Sequence, residues 1–234
     1  MAEYIASDSP TRRRTIIREA QFPPTSVVTQ YRGAREGLVK FLGDGTRSPR
    51  HFAKAIIDLD ERAKASSSAW VKADCLNSME AIEKFQAAYN RLLLRKLDCR
   101  IPSGKKWQMT DWPTTISVSF DLTLHKPSPT GPDKFGAVQF VFSKGEAKTK
   151  KRAEQCANIA GLIYTFCQRN LKGFGTADPA LCVAVDVFSG TECRCPGTFT
   201  KKLRHVEDSC HDIAALWHTI PPPNDYDGPK LKRP

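Results

Sequence analysis

Asp121 is followed 25 residues later by Glu146-Ala147-Lys148, and these residue types at this spacing can do phosphoryl chemistry. Two carboxylates brought together by adjacent strands hold a divalent cation through oxygen ligands. A nearby lysine can then orient a water or stabilise charge on a scissile phosphate. Asp186 is a third acid of interest, because it lies between Val185 and Val187 in an apolar run. A carboxylate in that setting must be paired, hydrogen-bonded or neutralised. Its two expected roles are a supporting acid of the same site and an ion pair with an Arg or Lys at the rim of the core.

Basic residues are clustered. Lys144, Lys148, Lys150, Lys151 and Arg152 surround one strand-to-helix junction, and Lys201, Lys202 and Arg204 open a later helix. Arg12, Arg13, Arg14 and Arg18 precede the first apolar helix, and Lys230, Lys232 and Arg233 close the chain. The 234 residues carry a formal charge of +11. Such clusters can neutralise phosphates with release of counterions, so DNA or RNA is the expected partner. At the junction around Lys150, free backbone N–H groups add a dipole favourable to an anion. A solubilising surface is the alternative use of the charge.

The eight cysteines are expected to be reduced thiols, with Cys156, Cys167 and Cys182 packed as small hydrophobes. Cys193, Cys195, His205, Cys210 and His211 do not follow the paired ligand spacing of zinc sites, so zinc is not expected. No Gly-rich phosphate loop and no Gly-x-Ser-x-Gly elbow occur. No apolar run approaches the roughly 18 residues of a membrane helix, and the start MAEYIASDSPTRRR lacks a signal-peptide core. These features predict an intracellular protein, cytoplasmic or nucleoid-associated, with no membrane partner.

The elements that must position these residues are legible from periodicity. Residues 1–25 mix Arg, Ser and Pro and predict a flexible basic arm. Residues 26–100 predict a helical portion, with helices over 27–42, from Ser48-Pro49 to about Ala63, and over 78–89. Strict alternation from Ile116 to His125 predicts a strand with Ile116, Val118, Phe120, Leu122 and Leu124 on one face and Asp121 on the polar face. A second strand is expected over 136–144, pairing with the first in antiparallel sense, then a helix over 149–170. A buried strand over 181–188 and a helix over 201–219 complete the 101–223 core, and 224–234 predict a disordered tail. The fold class is α+β, or mixed α/β: a helical N-terminal portion packed on a small mixed sheet flanked by a long helix and a C-terminal helix.

At Asp121 and Glu146-x-Lys148 the sequence resembles the restriction-endonuclease-like (PD-(D/E)XK) nucleases, whose Asp and Asp/Glu-x-Lys motif rides on an αβββαβ core. The resemblance covers about half the chain, from Ser78 to Phe188, with two strands legible before the long helix and Phe120 where the family often has Pro. It implies metal-dependent phosphodiester hydrolysis. Asp121 and Glu146 would hold Mg2+ or Mn2+, Lys148 would position water or phosphate, and Asp186 would support them. The alternative is a non-catalytic module that binds nucleic acid through its basic surface or a protein through its helical half. In that case Asp121 is an ordinary strand carboxylate and Glu146 an acid favoured near a helix start.

Overall fold

In Lys134–Val141 and Val183–Asp186 almost every residue is apolar, which requires cover on both faces of the strands they form. The computed structural model describes residues 1–23, 30–103, 107–144, 149–224 and 226–228 and supplies that cover. Number the strands β1 (Asp98–Arg100), β2 (Trp107–Met109), β3 (Ile116–Val118), β4 (Leu122–Lys126), β5 (Lys134–Val141), β6 (Thr176–Ala177), β7 (Val183–Asp186) and β8 (Thr191–Arg194). The helices are α1 (Ala2–Ile5), α2 (Pro10–Gln21), α3 (Arg32–Gly43), α4 (Arg50–Ala65), α5 (Ala69–Tyr89), α6 (Thr149–Asn170) and α7 (Phe199–Leu216).

One sheet runs in the order β1-β4-β5-β7-β8, with β6 added to β5. β1, β4 and β5 are successively antiparallel, and β5 pairs with β7 in parallel through the α6 crossover. Alternate residues of β5 serve opposite cores: Val138 and Phe140 meet α3, α4 and α5, while Phe135 and Ala137 meet α6. β7 does the same, with Val183 and Val185 towards α3–α5 and Cys182 just before it towards α6. The protein is therefore an α+β fold of three layers. Its central order α5-β1-β4-β5-α6-β7 contains three strands before the crossover helix, one more than periodicity reveals, because β1 is only three residues long.

Several expectations are corrected. The flexible arm expected over 1–25 is not observed in its described part, residues 1–23: α1 and α2 pack Tyr4, Ile5 and Ile17 into the α6-side core. Ser9 caps α2 and Pro10 occupies its first turn. The arginines meant for a free arm are used internally, since Arg12 pairs with Glu3 at 2.6 Å and Arg13 bonds the Ser7 carbonyl at 2.7 Å. The α5 helix starts directly after the serine run, capped by Ser68, and not at Ser78, which is buried in its interior. The helix expected over 27–42 is observed from Arg32, and Val27 lies outside the described residues. In the tail, Tyr226 is ordered against Phe22 (5.3 Å between rings) and donates to the Pro23 carbonyl at 2.6 Å, while Lys230, Lys232 and Arg233 lie outside the described residues.

The strand expected over 116–125 is two strands. Ile116, Val118 and Phe120 enter the α6-side core, whereas Leu122 and Leu124, of the same parity, enter the core opposite. A two-residue period cannot serve both faces without an interruption, and the chain leaves strand conformation at Ser119–Asp121. β3 then pairs with β2 in a separate hairpin, Trp107 opposite Val118.

Gly161 shows how closely the α6 layer is packed. A Cβ there would lie 2.1–2.4 Å from three ring atoms of Phe199, which is itself buried at the start of α7. Gly161→Ala is expected to destabilise the fold by about 1–3 kcal/mol through overpacking. A urea midpoint equal to that of the wild type would contradict this packing.

Candidate functional site

The carboxyl ends of parallel strands are where open α/β sheets present ligand-binding groups. Here that end, of β5 and β7, gathers Asp121, Lys144, Arg152 and Asp186. Where β4 starts late, Phe140 on β5 lies opposite Val185 of β7 but has no strand on its β4 side. The Asp121 carboxylate accepts the Phe140 N–H at 2.6 Å, and Arg35 of α3 donates to the Phe140 carbonyl at 3.1 Å. Arg35 also donates to both Asp121 oxygens, at 2.6 and 2.7 Å. The two side chains thus satisfy the donor and acceptor that the departing strand leaves open. Burial raises the Asp121 carboxyl from its ordinary value, against the downward pull of Arg35 and the Phe140 N–H.

Aromatic rings close this end of the sheet. The Arg35 guanidinium lies 5.0 Å from the centre of the Phe142 ring, Tyr31 stacks on Phe142 at 5.2 Å, and Phe188 meets Tyr31 edge-on at 5.6 Å. Asp74 of α5 accepts the Tyr31 N–H at 2.8 Å and ties this corner to the next helix.

Asp186 is held by Arg152 from the first turns of α6, with Nε and an outer nitrogen each 2.5 Å from a carboxylate oxygen. Arg152 also donates to the Ser143 carbonyl just past β5. The sequence-level alternative of a pairing with a basic residue at the core rim is what is observed. Lys144 reaches back to α5 and bonds Asn77 and Glu80 at 2.8 and 2.5 Å.

Asp121 and Asp186 lie at the same end of the sheet but are not brought together. β5 separates their strands, two spacings or about 9.6 Å. Asp121 is bound to a guanidinium from α3 and Asp186 to one from α6, so each carboxylate already has a cation. The strand adjacent to Asp121 carries no acid, and Glu146 and Lys148 follow its last residue, Val141, in a segment outside the described residues. Among the described residues no group of three or more His, Cys, Asp or Glu is arranged to hold a metal ion. The described carboxylates therefore do not fit a shared Mg2+ or Mn2+.

Of the other basic residues, Lys151, Lys201 and Arg204 are exposed, and the Lys150 side chain lies outside the described ones. Lys202 spans from α7 to Glu154 and Asn158 of α6, at 3.4 and 3.3 Å, and Phe199 packs on Gly161, so the first turn of α7 lies beside the middle of α6.

Arg35 was not among the residues singled out from the sequence. Its signal is an arginine inside the apolar stripe Tyr31-Arg35-Leu38-Leu42, a position that has to be neutralised when the stripe is buried. Neither a protein-family model nor a curated protein matches the chain. No described helix is long and apolar enough to cross a membrane.

Proposed function

We propose that this protein binds nucleic acid through its phosphate backbone, using the basic starts of α6 and α7, and that it does so without cleaving it. The observation that carries this reading is the exposure of Lys151 on the first turn of α6 and of Lys201 and Arg204 on the first turns of α7, two helices joined by the Lys202–Glu154 pair, in a chain with a formal charge of +11. Cations on helix starts gain nothing from the helix dipole, whereas a phosphate there meets both the side chains and the free N–H groups. Of the acids expected to do catalysis, Asp121 and Asp186 are instead neutralised by Arg35 and Arg152, which supports binding without hydrolysis.

The test is a salt titration of binding to labelled single- and double-stranded DNA and RNA. Log affinity should fall linearly with log salt, and Lys151→Gln, Lys201→Gln and Arg204→Gln combined should reduce the slope by roughly two to three, since each phosphate contact contributes about 0.7–0.9. An unchanged slope, or no binding at low salt, refutes the reading.

A metal-dependent nuclease is the second reading, favoured by one observation: leaving out the β2–β3 hairpin, which is inserted between β1 and β4 and forms a separate sheet, α5-β1-β4-β5-α6-β7 follows the αβββαβ order of the family that the sequence resembles. On that reading Asp121 is released from Arg35 and joins Glu146 and Lys148 around Mg2+ or Mn2+. Metal-dependent shortening of the substrate, abolished by Asp121→Asn, would establish it in place of the first.

A further inference from the structure

Five cysteines line the interface between α6 and the β7–β8 edge of the sheet. Cys156 and Cys167 are buried on the sheet-facing side of α6, three turns apart. Opposite them, Cys182 lies just before β7, Cys193 pairs in register with Ala184, and the Cys195 N–H donates to the Cys182 carbonyl at 3.0 Å. Arg152 on the first turns of α6 holds Asp186, and one turn further along Cys156 lies level with Ala184 and its register partner Cys193, so that Cys156 and Cys193 face each other between the helix and the edge strand, as Cys167 and Cys182 do deeper in the core.

The two pairs differ in access. Cys167 and Cys182 have no exposed surface, so no reagent reaches them in the folded protein. Cys193 is partly exposed, whereas the other seven cysteines are buried, and its strand is the outer edge of the sheet. The hydrogen bond from Cys156 holds the Cys193 thiol below its ordinary value, against burial and the nearby acids Asp186 and Glu192. Cys156, as the donor, is pushed up. A thiol that solvent reaches and that is shifted towards its thiolate, beside a buried thiol, is the arrangement of a reactive cysteine with a resolving partner.

We propose that Cys193 is a peroxide-reactive thiol and Cys156 its resolving partner, so that a hydroperoxide converts the pair into a disulfide joining β8 to α6. The Cys193 thiolate attacks one peroxide oxygen; an S–O bond forms, the O–O bond breaks, and hydroxide leaves and takes a proton. The sulfur loses two electrons to the peroxide. Cys156 then attacks the sulfenic sulfur, the S–S bond forms as the S–O bond breaks, and the oxygen leaves as water with the Cys156 proton. Cys156 lies one turn beyond Arg152, so the bond would tether the helix that holds Asp186 to the sheet edge. The inference is independent of whether the protein binds nucleic acid.

The reduced full-length protein is treated with hydrogen peroxide, remaining thiols are alkylated, and non-reducing peptide maps are recorded. The expected product is a peptide pair linked through Cys156 and Cys193, with the other six cysteines alkylated. In Cys156→Ser, Cys193 is expected to stop at the sulfenic acid and be captured by a cyclic dione. In Cys193→Ser, Cys156 is expected to stay reduced. Because serine at buried Cys156 can disturb α6, the wild type provides a separate measurement: limiting iodoacetamide at pH 7 should label Cys193 at least roughly tenfold faster than any other cysteine. Labelling of Cys193 no faster than the rest, or peroxide treatment that spares Cys193 or links it to another chain, overturns the proposal.

Discussion

Arg35→Ala is expected to lower the unfolding free energy by about 3 kcal/mol, the lower end of the range for breaking a buried pair, because Arg35 keeps 36% of its side-chain surface while Asp121 keeps 8%. The loss has two parts. Asp121 would be left as a buried carboxyl with, among the described residues, the Phe140 N–H as its one remaining partner, and the Phe140 carbonyl would lose its donor. Asp121→Asn should cost less, about 1–2 kcal/mol, because the amide oxygen still accepts the Phe140 N–H and the partly exposed guanidinium regains water. Arg35→Met with Asp121→Leu should not recover the wild-type value, since an apolar pair leaves both polar atoms of Phe140 unsatisfied. Urea midpoints of the four proteins check this ordering. If Asp121 were primarily a metal ligand, Mg2+ would raise the midpoint of the wild type and leave Asp121→Asn unmoved. On the structural role argued here, Mg2+ moves neither.

Arg152→Ala should be more costly, about 3–5 kcal/mol, because both side chains of its pair are enclosed, at 16% and 7% exposure. Apart from Arg152, Asp186 accepts among the described residues only a long 3.4 Å bond from the Ser189 N–H, which cannot compensate for the lost guanidinium. Arg152 also bonds the Ser143 carbonyl and so joins the ends of β5 and β7 to the first turns of α6. The effect should therefore be local as well as global, with amide exchange accelerating first in residues 152–156. Here Arg152→Met with Asp186→Leu should restore most of the lost stability, because this pair is chiefly a side-chain pair in an apolar setting and an apolar replacement avoids its desolvation. A single-variant loss below about 1 kcal/mol, or no recovery in the double variant, would contradict the account.

Both pairs bear on how the acids are to be understood. Each was chosen from the sequence because a carboxylate stood where chemistry or burial demanded a partner. In both cases the partner that the fold provides is an arginine on a helix: Arg35 for Asp121, 86 residues distant, and Arg152 for Asp186, 34 residues distant. An acid neutralised in this way gives a sheet end its shape and electrostatic balance. On the function proposed above, the exposed cations of α6 and α7 are the groups that would meet a polyanion.

The amino-acid sequence by itself determined the α+β class, the long helix over 149–170, the apolar strands β5 and β7 and the need of Asp186 for a partner. Each follows from local rules: a 3.6-residue stripe, a run covered on two faces, the cost of a lone buried charge. Only the tertiary structure decided which arginine met which acid, that the alternation of Ile116–His125 served two cores, and that the Arg-rich start packed as α1 and α2. β1 likewise carries too few residues to show a period, and it is a strand because β4 lies beside it. The physical reason is the range of the interaction. Periodicity is a property of neighbours in the chain, whereas an ion pair, an interrupted strand and an edge pairing take their energy from groups that only the folded chain brings within hydrogen-bonding distance.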